Sequence, residues 1–322
     1  MTAATAPAAA APAVPPLTWL YVPGDRPAVV AKALASGADA VVIDLEDAVP
    51  ADRKPYALRA TTELLAARRR TAPGSAPGPA LHVRVNALTG PYAATEIRAL
   101  AALPALDGLR LPKVDSAADI QRAAAWASAA GSGGAGAVPP LHALLESALG
   151  VENAFAVATA HPALRGLSLG EADLRAELGI QDGSGIGDED GRGEDGLGED
   201  GLGWARGRTV IAARAAGLPP PPQSVFTALH DTEALARSCA RGRALGFLGR
   251  AALHPRQLPV IERAYLPTAE EVERAMETVQ AAVGRAGACA LPDGRFVDPA
   301  VVAAARRVLA LAARGARLGE EQ

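Results

Sequence analysis

Residues 37–54 read GADAVVIDLEDAVPADRK, and they show the repeating unit of the fold. Within it, Ala40–Ile43 is a short, fully apolar and mostly β-branched run, which is typical of a strand buried in a parallel sheet. Three acidic residues follow this run at once: Asp44, Glu46 and Asp47. Helical spacing begins a few residues later. The stretch therefore predicts one strand–loop–helix unit whose loop carries carboxylates.

The same alternation of strand-like and helix-like runs recurs along most of the chain. The strand-like runs occupy residues 17–22, 40–43, 81–85, 109–111, 141–145, 164–169, 223–226 and 246–253. With the helical runs between them they form about eight units over roughly 240 residues. Such alternation predicts an α/β fold with a parallel sheet covered by helices. The number and length of the units favour a closed (β/α)₈ barrel, the TIM-barrel architecture, over an open sheet.

The composition changes at three places and predicts the domain organisation. We expect a disordered Ala/Pro tail at 1–16, a barrel domain at 17–266 and a C-terminal helical extension at 267–322. Residues 181–203 repeat Gly-Glu-Asp-Gly-Leu and predict an acidic, Gly-rich loop inserted in the barrel. The EF-hand and β-roll calcium patterns are absent from this segment. Two interpretations stay open for it, a tolerated surface insertion and a cation-binding loop or lid.

Composition and charge exclude several classes of protein. The 322 residues carry a net charge of −3, and only 3% of them are aromatic. Such a chain has neither the basic surface nor the stacking side chains of a nucleic-acid-binding protein. It also lacks an apolar run of about 18 residues, the length that a membrane span needs. The N-terminus does not resemble a signal peptide, and the two cysteines show no metal-binding spacing. We therefore expect a cytoplasmic protein that binds small molecules.

Charged or ionisable residues follow almost every predicted strand. In a barrel these positions share one face and build the active site. The residues are Asp25, Arg26, Asp44, Glu46, Asp47, Arg84, Lys113, Glu146, Glu171, Asp173 and His254. Only the end of the poorly defined seventh strand lacks such a group. This convergence predicts an enzyme.

The carboxylates among these residues predict a cation. In one pocket five of them would repel one another: Asp44, Glu46, Asp47, Glu146 and Asp173. An all-oxygen set with few histidines suits Mg²⁺, which keeps several waters and leaves room for substrate oxygens. Glu171 and Asp173 can equally be interpreted as residues that stabilise a helix N-terminus. The backbone N–H groups of residues 171–173 would then bind a substrate carboxylate.

Lysine is scarce, with three residues against 29 arginines. Lys113 lies at a strand end and has two interpretations. It is either the Schiff-base nucleophile of a lysine-dependent aldolase or a cation that pairs with the acidic cluster and faces the substrate. The carboxylates favour the second interpretation, because they indicate metal chemistry. Lys54 is interpreted as a solvated helix residue.

Arg84 follows the apolar Val83 at the end of the third predicted strand. One interpretation is a buried ion pair with Asp44 or Glu46. The other is a cation that clamps a substrate carboxylate or stabilises the oxygen of an enolate. Both stay open from the sequence.

Eight motifs that contain these residues occur in a fixed order. They are LTWLYVPGDRP (17–27), GADAVVIDLEDAVPADRK (37–54), VRVN (83–86), LPKV (111–114), LLESALG (144–150), LSLGEADL (167–174), ALGFLGRAALHPRQL (244–258) and DGRFVDPAVVAAAR (293–306). Together they resemble the citrate lyase beta-subunit-like proteins of the HpcH/HpaI aldolase/citrate lyase superfamily. Malyl-CoA and citramalyl-CoA lyases are related members. The resemblance runs from about residue 17 to residue 313.

The resemblance implies a Mg²⁺-dependent barrel that makes or breaks a carbon–carbon bond beside an acyl thioester. Glu146 and Asp173 resemble the two metal-ligating carboxylates of the family. Arg84 resembles the arginine at the substrate oxygen. Asp298 resembles the C-terminal aspartate that moves a proton, often in the active site of a neighbouring subunit. Members of the family commonly form trimers or hexamers, so we expect a homo-oligomer.

The resemblance also implies binding residues. For substrate, besides Arg84, we expect Asp44, Glu46, Asp47, Lys113, Gly170, Glu171 and Ala172, with Glu46 and Asp47 holding metal-bound waters. For the CoA part we expect Arg26 and Lys32. The chain departs from the usual family pattern at Leu17-Thr18, where Arg-Ser is common, and at Gly249-Arg250, where Gly-Lys is common.

The predicted reaction interconverts a β-hydroxyacyl-CoA of the malyl, citramalyl or citryl type with an acyl-CoA and a 2-oxo acid or related acid. Three alternatives stay open. The chain could be a CoA-independent, metal-dependent aldolase acting on 4-hydroxy-2-oxo acids. It could be a thioesterase variant that also splits the CoA ester. It could also be a non-catalytic subunit that binds a CoA ester.

Overall fold

The computed structural model describes residues 15–68, 78–130, 138–180, 201–283, 287–291 and 293–320. It divides into two compact units. The described residues between 16 and 265 form the barrel unit, and Pro15 together with the described residues between 266 and 320 forms the C-terminal unit. Most of the predicted tail (1–14) and most of the predicted acidic insertion (181–200) lie outside the described residues, so these two assignments stay predictions.

The barrel unit alternates strands and helices along the chain. In order, they are β1 (Thr18–Pro23), α1 (Pro27–Leu34), β2 (Ala40–Asp44), α2 (Lys54–Ala67), β3 (Ala80–Arg84), α3 (Ala93–Ala101), β4 (Gly108–Leu111), α4 (Ala117–Ser128), β5 (Leu141–Leu145), α5 (Ala148–Glu152), α6 (Ala154–Ala158), β6 (Leu164–Leu169), α7 (Glu171–Leu178), α8 (Gly203–Ala215), α9 (Thr232–Ala244), β7 (Arg250–Ala252) and α10 (Leu258–Tyr265). Two 3₁₀ turns precede α2 and α10, at Ala51–Arg53 and Pro255–Gln257.

Seven strands form one parallel sheet in the order β6-β5-β4-β3-β2-β1-β7. Neighbours in the sheet are also consecutive in the chain, except that the last strand returns to pair with the first. Sequential order of the strands, with the last strand returning to the first, is the order expected of a (β/α)₈ barrel. Because all seven strands are parallel, their carboxyl ends lie at the same end of the sheet.

The predicted strand at 223–226 is wrong as a strand. Only Gln223 pairs, as an isolated parallel bridge to Arg250. Its N–H donates to the Gly249 carbonyl at 2.9 Å, and its carbonyl accepts from the Ala251 N–H at 3.0 Å. The four residues before it are prolines, 219–222, which have no N–H to donate to a ladder. An extended segment, instead of a full strand, thus occupies the position of the predicted strand 223–226.

Aromatic rings fill the lower interior of the barrel. The rings of Trp19, His82 and His142 contact one another edge-on, with centroid separations of 5.0 Å for Trp19–His82 and 4.8 Å for His82–His142. Gly108 and Gly166 leave the space for the imidazoles. A Cβ atom on Gly108 would lie 2.5 Å from His82, and one on Gly166 would lie 2.7 Å from His142.

Helix boundaries follow local signals. Ser116 and Asp119 form a reciprocal capping box at the start of α4, which satisfies free N–H groups of the first turn. The helical stretch after β5 consists of two short helices that meet at Asn153. Gly179 ends α7 in the left-handed conformation with φ of 69°.

The C-terminal unit contains α11 (Ala269–Ala282), the short strands β8 (Cys289–Ala290) and β9 (Phe296–Val297), and α12 (Pro299–Glu320). The two helices confirm the predicted helical C-terminal extension, whereas the antiparallel β8–β9 hairpin was not predicted. A guanidinium N–H of Arg314 donates to the Pro15 carbonyl at 2.9 Å. Within the described ranges, no helix combines the length and apolar character needed to cross a membrane.

Candidate active site

A central cavity of about 480 Å³ opens at the carboxyl end of the sheet. It is bounded by the ends of the barrel strands, the start of α7 and the segment 222–225. Predicted site residues that line it are Asp44, Asp47, Arg84, Glu146, Gly170, Ala172 and Asp173. Residues that arrive from four different strand ends and one helix thus meet in one place, as the barrel topology requires.

Asp44 and Arg84 form a bidentate ion pair at one side of the cavity. They end β2 and β3 and are paired in the sheet register. Arg84 donates from Nε to Asp44 Oδ1 at 2.8 Å and from a terminal nitrogen to Oδ2 at 2.7 Å. The Asp44 carboxylate also accepts from the N–H groups of Glu46 and Ala48, at 2.9 and 3.0 Å. The ion pair predicted from the sequence is present, and it also fixes the loop after β2.

Glu46 is buried between two cations. Its carboxylate lies 3.0 Å from the Arg84 guanidinium and 2.9 Å from the Lys113 ammonium. Burial raises the pKa of Glu46 above its usual value, although both cations act in the opposite direction. Asp47 is more exposed and lies 3.4 Å from Arg84 and 3.8 Å from Lys113. Two cations and three carboxylates of the loop after β2 therefore form one network.

Lys113 holds two carboxylates at once. Its ammonium binds Glu46, and its backbone N–H donates to Glu146 Oε1 at 2.8 Å. The residue has a φ of 51°, a left-handed conformation that is uncommon outside glycine. Burial lowers the pKa of Lys113, but the Glu46 hydrogen bond and the surrounding carboxylates outweigh it, and the pKa is raised. A Schiff-base nucleophile needs a lowered pKa, so the geometry favours the paired cation.

Glu146 and Asp173 face the cavity without a cationic partner among the described side chains. Burial, with the charges of Glu46 and Asp173 next, raises the pKa of Glu146 to about 8. Gly170 permits this placement, since a Cβ there would lie 2.5 Å from the Glu146 carboxylate. Such a pair of carboxylates invites a divalent cation.

The described part of the chain contains no cluster of three or more His, Cys, Asp or Glu side chains arranged to hold a metal. Two carboxylates alone fit Mg²⁺ better than Zn²⁺ or Ca²⁺. Mg²⁺ is commonly held by one or two protein carboxylates, with waters and substrate oxygens completing the shell. Zn²⁺ and Ca²⁺ sites usually take more protein ligands. The donor set therefore fits the predicted ion.

The start of α7 presents backbone N–H groups to the same cavity, which Gly170, Ala172 and Asp173 line. The Glu171 side chain instead forms an ion pair with Arg206, donated in part from Arg206 Nε at 3.1 Å. The Glu171 N–H donates to Ser224 Oγ at 3.4 Å. The predicted substrate contact at Glu171 stays a prediction.

The remaining predicted residues lie elsewhere. Arg26 and Lys32 are exposed on and before α1 and do not line the central cavity. Asp298 belongs to the C-terminal unit, where its Oδ1 accepts from the Val301 N–H at 2.8 Å at the start of α12. Their roles in CoA binding and proton transfer stay predictions.

Lys54 is not the solvated helix residue expected from the sequence. Its ammonium donates to the carbonyls of Leu45 and Glu46, at 3.0 and 2.9 Å, and to Asn86 Oδ1 at 2.5 Å. It therefore pins the acidic loop after β2 to the end of β3. The sequence gives only one indication of these contacts, the position of Lys54 just after the acidic loop. The helical pattern around Lys54 does not predict that its side chain faces inward.

Arg110 is a second arginine of the central cavity that sequence reasoning missed. It is buried on β4, and its register partner on β3 is Arg84. The surrounding run Gly108–Leu111 reads GLRL, so the arginine occupies the inward-facing position of a short strand. Its place two residues before the strand-end loop was the available signal.

Comparison with known proteins assigns the family. The model of the HpcH/HpaI aldolase/citrate lyase family matches residues 17–255, which include every strand of the barrel. The chain belongs to this family. The resemblance predicted from the motifs is confirmed, and so are the enzyme class, a carbon–carbon lyase of this family, and the TIM-barrel-like fold with a helical C-terminal extension.

Individual relatives cover nearly the whole chain. A (3S)-malyl-CoA thioesterase from Cereibacter sphaeroides is 33% identical over 93% of this chain and 95% of its own length. The citrate lyase subunit beta of Leuconostoc mesenteroides subsp. cremoris is 33% identical over 92% of each chain. The crystal structure of the protein CitE from Mycobacterium tuberculosis, in complex with magnesium, acetoacetate and coenzyme A, matches with a TM-score of 0.71. It is 32% identical and covers 94% of this chain and 99% of its own.

Proposed function

We propose that this protein is a Mg²⁺-dependent lyase or synthase that interconverts a β-hydroxyacyl-CoA with an acyl-CoA and a 2-oxo acid. The observation that carries the proposal is the pair Glu146 and Asp173, two carboxylates with no described cationic partner, which line one cavity with Arg84. The magnesium and coenzyme A bound to the Mycobacterium tuberculosis protein support it.

Glu146 and Asp173 would hold the ion, and their shared cavity leaves room for the acid half of the substrate. When bound, Mg²⁺ supplies Lewis-acid chemistry that lowers the pKa of the substrate hydroxyl and polarises the carbonyl formed from it. The N–H groups of residues 171–173 would orient the carboxylate of the acid. Asp44 and Glu46 hold Arg84 at the cavity wall.

In cleavage the hydroxyl proton passes to water in the cavity, the carbon–carbon bond breaks and its electron pair leaves an enolate on the thioester half. Arg84 offsets the negative charge of that enolate from a fixed position. The enolate carbon then takes a proton, which we assign to Asp298, acting as acid in cleavage and as base in condensation. Lys113 keeps Glu46 and Glu146 in place and makes no covalent bond to substrate.

We also propose that Arg26 and Lys32, both exposed cations, bind the phosphates of CoA. By resemblance to the family we propose a homo-oligomer, a trimer or hexamer, that works in the cytoplasm. Elution volume with light scattering tests the assembly. A monomer at micromolar concentration would contradict it.

A thioesterase is the second candidate, because a relative with that activity is 33% identical over 93% of the chain. Such an enzyme would release free CoA as well as an acid. The lyase breaks only the carbon–carbon bond and releases an acyl-CoA whose thioester bond is intact. The two products can therefore be followed separately.

The test is one assay with Mg²⁺ and a panel of malyl-CoA, citramalyl-CoA, citryl-CoA and a free 4-hydroxy-2-oxo acid. We expect release of a 2-oxo acid from at least one thioester, abolished by EDTA, without free CoA. Release of one free CoA for each thioester consumed would support the thioesterase. Turnover of the free acid alone would support the CoA-independent aldolase, and silence on every substrate would support a non-catalytic subunit.

A further inference from the structure

Arg110 is a buried cation whose charge the described protein groups leave uncompensated. The side chain is only 4% exposed. Arg84 beside it has three carboxylates within 4 Å, whereas Arg110 has none among the described residues. Buried charges in proteins are normally paired. Arg250 is also buried, with no carboxylate partner among the described residues, but only Arg110 lines the central cavity. An anion bound in that cavity can therefore supply the partner of Arg110.

The contacts of Arg110 are all neutral. A terminal nitrogen donates to Ser168 Oγ at 3.2 Å and lies 3.5 Å from the Tyr21 hydroxyl. Its guanidinium lies over the Trp19 ring at 4.2 Å, and Arg110 Nε is buried without a hydrogen-bond partner. Aromatic faces offset part of a buried positive charge but not all of it.

The histidines below Arg110 do not balance it either. Burial, and then Arg110 itself, lowers the pKa of His142 to about 3. Burial, with His142 and Arg110 next, lowers the pKa of His82 well below its usual value. Both imidazoles are neutral at pH 7 and contribute no negative charge.

Arg110 lines the same cavity as the proposed metal pair. Arg110 pairs with Arg84 on one side and with His142 on the other. Ser168 and Leu144, which pair across β5 and β6, lie two residues before Gly170 and Glu146. Two residues along a strand span about 6.6 Å. A group attached to the third carbon of a 2-oxo acid held at the metal pair would reach this depth.

We infer that Arg110, together with Ser168 and the Tyr21 hydroxyl, binds a second anionic group on the acid half of the substrate. The preferred acid is therefore a 2-oxo dicarboxylate and not a 2-oxo acid with an alkyl tail. This inference rests on the proposed function, because it takes the 2-oxo acid to bind at Glu146 and Asp173. Arg84 keeps the role at the enolate given above, and its pairing with three carboxylates fixes its position.

The rival explanation is structural, in which Arg110 only packs on Trp19 and holds the interior together. The two differ in how binding depends on ligand charge. The probes are oxaloacetate, freshly dissolved, and 2-oxobutyrate, which has a similar length but a methyl end. Affinities of both are measured by calorimetry with Mg²⁺ present and without any thioester.

Wild-type protein should bind oxaloacetate about 10- to 100-fold more tightly than 2-oxobutyrate, the range expected for hydrogen bonds to a charged group. Arg110→Met should reduce this ratio to below about threefold, mainly by weakening oxaloacetate. Arg250→Met is the matched control. Arg250 is also a buried strand arginine, bonded to Gln223 and Ser238, but it does not line the cavity. Its variant should keep the wild-type ratio.

A wild-type ratio near one would overturn the inference without any variant, even if Arg110→Met does not fold. An unchanged ratio in a folded Arg110→Met protein would overturn it as well. Failure of the proposed function looks different. No thioester in the panel would then turn over, while charge-selective binding that depends on Arg110 would persist.

Discussion

Replacing Asp44 by asparagine removes half of the bidentate pair that holds Arg84. Asparagine keeps one acceptor oxygen but loses the Oδ2 contacts with Arg84, at 2.7 Å, and with the Ala48 N–H, at 3.0 Å. It also removes the charge opposite a guanidinium whose side chain is 13% exposed. The variant therefore tests whether this pair stabilises the barrel and orients Arg84.

The size of the effect follows from these contacts. Removing one partner of a buried ion pair costs about 3 to 5 kcal/mol. Here Arg84 keeps Glu46 at 3.0 Å and Asp47 at 3.4 Å, so part of its charge stays compensated. We expect the free energy of unfolding to fall by about 2 to 4 kcal/mol. Turnover should fall by at least about tenfold, because Arg84 loses its fixed position.

Urea unfolding of the variant and of wild-type protein at pH 7 measures the stability. The matched control is Glu233→Gln on α9, which removes an exposed carboxylate 3.9 Å from Arg237. Exposed pairs contribute little, so the control should lie within about 0.5 kcal/mol of wild type. If the free energy of unfolding of Asp44→Asn falls by less than about 1 kcal/mol and no more than that of the control, the pair does not stabilise the fold.

Three further predictions follow from the site and the interior. Gly170→Ala places a Cβ 2.5 Å from Glu146, so Mg²⁺-dependent turnover should fall about tenfold or more, and unchanged kinetics would contradict the close approach. Lys113→Arg should keep turnover within about tenfold, and borohydride with substrate should not inactivate wild-type protein; inactivation would indicate a Schiff base. The pKa of His142 is near 3 in the folded chain and about 6.5 in the unfolded chain, so the unfolded chain binds the proton more readily. The contribution of neutral His142 to stability is therefore complete above about pH 6.5 and is lost as the pH falls. Between pH 6 and 4 the slope of unfolding free energy against pH should be about 1.4 kcal/mol per unit steeper in wild type than in His142→Gln, and equal slopes would refute this.

The positions of the site residues could be predicted because they depend on one regular feature. Apolar strands such as Ala40–Ile43 are easy to recognise, and in a parallel barrel every strand end faces the same way. Asp44, Arg84 and Glu146 were therefore placed together from the sequence before any contact was known. The start of α7 could be predicted equally well, because acidic residues follow Gly170 at the end of an apolar strand.

Other features depend on contacts that one sequence does not display. The proline run before Gln223 removes donors from the expected seventh strand, which a pattern of apolar residues does not reveal. Lys54 has ordinary helical surroundings, and its inward direction comes from the loop that folds over it. Arg110 is one polar residue in a strand of four, and nothing nearby in the sequence marks its missing partner.

The measurement that tests the account most directly compares wild type with Glu146→Ala in two experiments. The first is calorimetric titration with Mg²⁺, and the second is release of a 2-oxo acid from the CoA thioester panel. We predict that the variant loses both Mg²⁺ affinity and turnover, because Glu146 and Asp173 are the described carboxylates without a cation in the central cavity. A folded variant that keeps full affinity and full activity would contradict the proposed metal site and the function built on it.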